Sequence, residues 1–181
     1  QMPLPGKNRK KLLKAVPYAV EDQLVEETDN LHFALSSHAD NGKYVVAAVE
    51  HRMIEYWDKT IKAAGIRADM LIPDASALVD GSADWTVLME ARRALVRTPL
   101  GVFATDINML PVMLNNVWQQ AGENRPAHVT VYDCSRAAHM TTLRALTSDI
   151  EYEVIDCAQG VFGILAAHFD PRRCVNLLQG E

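Results

Sequence analysis

Between Asn8 and Leu24 the apolar residues Leu13, Val16, Val20 and Leu24 return at intervals of three and four, the period of one helical face. Pro17 interrupts this pattern. Its missing amide and its ring predict a kink or a restart at that point. The charges change sign at the same place: Lys7, Arg9, Lys10, Lys11 and Lys14 precede the proline, and Glu21, Asp22, Glu26, Glu27 and Asp29 follow it. A basic helical segment joined to an acidic one is the reading. The period then becomes strand-like over Leu31 to Ser37 and Lys43 to Glu50, with Asn41-Gly42 between them supplying the turn of a hairpin. A helix follows from His51, with Met53, Ile54, Trp57, Ile61 and Ala64 on one stripe and Gly65 as its stop. ADMLIPD, from Ala68, predicts a short buried strand ended by Pro73.

The second half runs in the same manner. DWTVLMEARRALVRT predicts two strands around Ala91 to Arg93, and DINMLPVMLNNVWQQAG a helix with Asp106 as N-cap and Gly122 as its end. AHVTVYD is then a strand, SRAAHMTTLRAL a helix capped by Ser135, DIEYEVID a strand, and GVFGILAAHF a helix closed by Pro171. Strands alternating with helices in this order predict an α/β protein with mixed sheets and crossover helices.

The chain has 181 residues, 49% hydrophobic and 23% charged, enough apolar material to bury a core in one domain or two small ones. A formal charge of -5 argues against a general nucleic-acid binder, which must neutralise phosphates, and leaves proteins or small molecules as partners. The longest apolar runs, such as Tyr44 to Val49, fall far short of the roughly 20 residues of a membrane helix. Cys134, Cys157 and Cys174 are odd in number and irregularly spaced, so neither a disulfide framework nor a zinc site is predicted, and a reducing compartment fits.

Candidate chemistry is sparse. Cys134, His139, Asp133 and Asp156 supply the residue types of a nucleophile, a base and an orienter, but only across a strand-to-helix join that does not force them together. His32, His38, His51, His128, His139 and His168 have no metal-ligand spacing. Neither a P-loop nor GxGxxG is present. In QGVFG, Gly160 and Gly163 stand where a helix N-terminus holds an anion, although close helix-to-sheet approach is the plainer use of such glycines. The basic block from Lys7 to Lys14 reads as a solvated face rather than a lipid contact. No catalytic, cofactor or metal residue is assigned.

PGKNRKKLLKAVPYAVEDQLVEETDNLHFAL, Pro5 to Leu35, resembles the signature of the cytoplasmic domain of type II secretion system protein L: PGK, a basic helix, PY, the acidic EDQL segment, then LHFA. The resemblance continues more loosely through the helix ending at Gly65, PDASAL from Pro73 to Leu78, Arg97, and the terminal NLLQGE. It implies an actin-like fold of RNase H-like subdomains, the first over residues 1–79 with its initial strands before Gln1, the second over 80–181 with its end leading towards a membrane helix. It further implies a parent crossing the bacterial inner membrane once. On the cytoplasmic face the domain would recruit the secretion ATPase, protein E, while parts outside this chain would dimerise and meet protein M. No cofactor and no enzymatic activity are expected. The alternative is an actin-like nucleotide-binding protein or weak ATPase. Against it, relatives that hydrolyse ATP carry glycine hairpins close to D-x-G-x-x-T, whereas here Asp80 is followed at once by Gly81. Which surface meets the ATPase is not fixed by the sequence.

Overall fold

The computed structural model describes residues 2–3, 9–24, 26–36, 43–78, 85–99, 101–135, 139–167, 169–172 and 174–179. The chain divides into two compact units, residues 1–73 with 170–181, and residues 74–169. The division therefore falls at Pro73 rather than after residue 79, and the last twelve residues belong with the first unit. Both Asp80-Gly81 and the Asn41-Gly42 turn lie outside the described residues.

The first unit is built on a hairpin with a helix on each face. Strand β1 (Met2–Pro3) pairs antiparallel with β3 (Lys43–Tyr44), and β2 (Leu31–Leu35) with β4 (Val46–Glu50), in the register Leu31↔Glu50 to Leu35↔Val46. Every residue of β2 is buried. Alternate side chains of a strand face opposite sides, so Leu31, Phe33 and Leu35 meet Leu12, Val16 and Val20 of helix α1 (Arg9–Val20), four residues apart on that helix. Ala34, on the other side, joins Ile54 of helix α2 (His51–Ala63), Val175 and Leu177. Helix α2 stops before Gly65, whose φ of 70° is the left-handed conformation glycine takes at helix ends.

Two expectations are corrected here. Helix α1 runs through Pro17 without a restart and ends at Val20, because the proline removes one amide bond while Val16 and Val20 keep their burial against β2. The acidic residues are consequently not a second α-helix: Glu21–Gln23 form one 3-10 turn and Thr28–Asn30 another. ADMLIPD, moreover, is irregular rather than a strand. Its backbone is satisfied from the far end of the chain: the Leu71 amide donates to Asn176 Oδ1 at 3.0 Å, and the Leu177 amide donates to the Leu71 carbonyl at 2.7 Å.

The second unit is a five-stranded sheet with strands β5 (Trp85–Met89), β6 (Arg93–Thr98), β7 (Gly101–Asp106), β8 (Val129–Asp133) and β9 (Tyr152–Asp156) in the order β7-β6-β5-β8-β9. Only β6 runs against the rest. This 3-2-1-4-5 order with one antiparallel strand is that of an RNase H-like subdomain. Central β5 is buried on both faces. Trp85, Val87 and Met89 pack with Leu110, Leu114 and Trp118 of helix α3 (Leu110–Ala121) and Leu143 of helix α4 (His139–Leu146). Leu88 packs on the opposite face with Leu95, Tyr132, Ala75 and Leu78, and against Val161, Ile164 and Leu165 of helix α5 (Gly160–Ala167). Strand β7 was not predicted. Asp106 ends it instead of capping α3: its carboxylate accepts from the Asn108 amide at 2.8 Å, and the N-cap position is Met109.

Candidate docking face

The acidic segment of the first unit meets the hairpin at one place. Antiparallel pairing of Leu31 with Glu50 sets Asn30 beside the start of α2, and the 3-10 turn before Leu31 brings Asp29 along. Glu26, Asp29, Asn30, Glu50, His51 and Arg52 thus line an open hollow of about 400 Å³. Three carboxylates face one guanidinium there.

Arg52 bonds back to Glu50, with Nε against one carboxylate oxygen and Nη2 donating to the other at 3.0 Å. Those hydrogen bonds hold the Glu50 carboxyl below its ordinary value, and the same contact raises the Arg52 guanidinium. Both groups are solvated, so the pair positions charge more than it stabilises the fold. His32, buried in β2, meets the exposed His51 ring edge to face at 5.9 Å. With Glu26 and Asp29 exposed and uncommitted to a nucleophile, the arrangement suits recognition of a basic surface: its excess carboxylates steer cations towards it. Glu50 and Arg52 were not singled out in the sequence, and His51 only as one of six histidines without metal-ligand spacing; the hairpin register was the signal that places residue 51 beside residue 30.

The remaining candidates separate. Cys134 is joined to Cys157 and not to His139, which corrects the expectation that the cysteines form no disulfide and agrees with leaving the thiol nucleophile unassigned. The pairing arises because β8 and β9 are adjacent parallel strands, so residues 23 apart in sequence end side by side. Asp133 accepts from the Ser135 amide at 3.0 Å and from its hydroxyl at 2.6 Å, which ties the aspartate into a local turn. His128 is exposed and His139 partly so, while His38 and His168 lie outside the described residues. Among the described residues no group of three His, Cys, Asp or Glu side chains is placed to hold a metal. Gly160 opens α5 at φ 67°, and a Cβ on Gly163 would strike the Cβ of Gln159 at 2.5 Å. Both glycines therefore answer local backbone needs of the turn into α5, not contact with the sheet.

The motif residues that carried the family resemblance act as clasps. Arg97 Nη1 donates to the Leu78 carbonyl at 3.4 Å, joining two of those motifs. Asp74, of PDASAL, pairs with Arg93 at 2.7 Å. In the first unit Gln179 brackets Leu35, donating to its carbonyl at 2.7 Å and accepting from its amide at 3.3 Å.

Comparison with known proteins places these features. The family model described as type II secretion system (T2SS), protein L, matches residues 1–181. Type II secretion system protein L of Pectobacterium carotovorum subsp. carotovorum is 37% identical over 99 residues, 54% of this chain and 23% of that protein. The protein of the same description from Dickeya chrysanthemi is 30% identical over 100 residues, 55% of this chain and 25% of its own. These matches span about a quarter of the length of the curated relatives. The solved cytoplasmic domain of EpsL, an inner membrane component of the type II secretion system of Vibrio cholerae, superposes with a TM-score of 0.69 at 18% identity, covering 99% of this chain and 71% of that one. The likeness is one of fold. Among the described residues no helix is long and apolar enough to cross a membrane.

Proposed function

The chain belongs to the type II secretion system protein L family, and on that premise we propose that it is a non-catalytic docking domain at the cytoplasmic face of the bacterial inner membrane. It recruits the secretion ATPase, protein E, and the rest of the parent carries that link to the membrane and to protein M. The observation that carries this reading is the shared fold: 99% of the chain superposes on the cytoplasmic domain of an inner-membrane secretion component. The hollow lined by Glu26, Asp29 and Glu50 is the face that meets the ATPase, because an excess of exposed carboxylates selects a basic partner surface and speeds the encounter.

Calorimetry with the N-terminal region of protein E tests both parts. Binding at micromolar concentration is expected, weakened about 10-fold at low salt by Glu26→Lys with Asp29→Lys, a difference that shrinks as salt is raised. No heat with the unaltered chain would remove the docking role. Binding that survives the reversal unchanged would move the contact off this face.

A further inference from the structure

The geometry points to Cys134 and Cys157 as a reversible thiol–disulfide modification site, oxidised by a low-molecular-weight disulfide such as oxidised glutathione and reopened by a dithiol. Cys134 follows β8 and Cys157 follows β9, and the last paired residues of those strands, Asp133 and Asp156, are in register. The two cysteines are therefore the next rung of the ladder, with Cα atoms 4.9 Å apart, inside the range that a disulfide spans without backbone movement. Their backbones are fixed on both sides. The Cys134 amide donates to the Met89 carbonyl at 3.0 Å, and the Cys157 carbonyl accepts from the Gly160 amide at 2.9 Å. Two thiols held this way bond without paying for new order in the chain.

Access and surroundings favour exchange over permanent burial. Both cysteines are half-buried, packed beside Tyr132, Val161 and Ile164 and yet within reach of a small reagent. Cys174, by contrast, is buried in the first unit. In the reaction one cysteine thiolate attacks the small disulfide, forming a mixed disulfide and releasing one small thiol. The second cysteine then displaces the other small thiol. Two protein thiols are oxidised, one small disulfide is reduced, and the protons leave on the two released thiols. The bond fastens β9, which among the described residues has β8 as its one partner in the sheet, to the strand beside it at the point where α5 begins.

The test is a redox titration of the whole chain followed by an acid quench, alkylation in denaturant so that buried thiols also react, and mass spectrometry. Oxidised glutathione should remove two alkylatable thiols, yield one linked peptide pair containing Cys134 and Cys157, and leave Cys174 alkylatable. The oxidised form should melt on the order of 10 °C higher, since the bond closes a loop in the unfolded chain. Dithiothreitol should reverse both changes, and Cys174→Ser should alter neither. Glutathione left on either cysteine, a linked peptide containing Cys174, an unchanged melting temperature, or a bond that dithiothreitol does not open would each overturn the proposal. The titration uses the unaltered protein, so it does not depend on whether a Cys134→Ala chain folds.

Discussion

The two units solve the same packing problem by different means. In residues 74–169 the central strand β5 lies between α3 with α4 on one face and α5 on the other, and every element of that core comes from one continuous stretch. In the first unit β2 likewise has apolar contacts on both faces, but the layer that α2 supplies through Ile54 is completed by residues 175 and 177, more than 140 positions away from Ala34. Side chains of that returning segment replace strand pairing: Asn176 serves Leu71, and Gln179 serves Leu35. A core built from consecutive residues needs mainly apolar volume. A core closed by a distant segment also needs polar side chains that find particular backbone groups.

The comparison is broken most forcefully at Trp85, which is fully buried and meets Trp118 edge to face at 5.6 Å. Trp85→Ala should cost about 4 kcal/mol, the usual size for removing a large core side chain. Denaturant unfolding followed by hydrogen exchange in β5 and β8 measures it. Loss confined to the second unit supports separate cores, whereas equal loss of protection in β2 would mean that the two units unfold as one.

A middle-sized effect is expected at the clasp. Asn176 Oδ1 accepts from the amides of both Leu71 and Leu178 at 3.0 Å, so Asn176→Ala leaves two donors short in a partly buried place. The cost should be about 2 kcal/mol. Faster exchange at the Leu71 and Leu35 amides, with β5 unchanged, would sharpen the contrast. No local change at Leu71 would show that the apolar contacts of Val175 and Leu177 alone hold the segment.

Legibility in the sequence follows the same division. The period-four face of α1, the hairpin β2–β4, helix α2 and most of the second sheet were readable because each carries its own apolar period. Even there the readable stripe omitted Leu12, which is buried, in favour of its neighbour Leu13, which is only partly so. Strand β7 escaped because its exposure alternates the wrong way for a simple reading: Val102 and Ala104 face solvent while Thr105 is partly covered. ADMLIPD looked like a strand for its local apolar run, and the residues deciding otherwise lie about a hundred positions downstream. The Cys134–Cys157 contact was invisible for a related reason, since it depends on which parallel strands become neighbours. As for the docking hollow, its acidic half was visible as the run from Glu21 to Asp29. Its other half, Glu50 to Arg52, needed the hairpin register.

The smallest effect concerns polar closure inside the second unit, where a side chain plays the part that Asn176 plays in the first. Tyr152, at the start of β9, shares a hydrogen bond between its hydroxyl and Thr147, and burial raises its phenol above the ordinary value of 10.0. A raised folded-state value means that the protonated form is favoured in the fold. The stability this confers is fully present below about pH 10 and is lost as pH rises through the folded-state value, because the unfolded chain releases its proton first. Tyr152→Phe should cost about 1 kcal/mol at neutral pH, and the variant should lack the alkaline loss that the unaltered protein shows. Urea unfolding at pH 7 and at intervals above pH 9 separates the two contributions. If both proteins lose stability in parallel above pH 10, the phenol is not the group responsible, and polar closure by single side chains is then a property of the first unit.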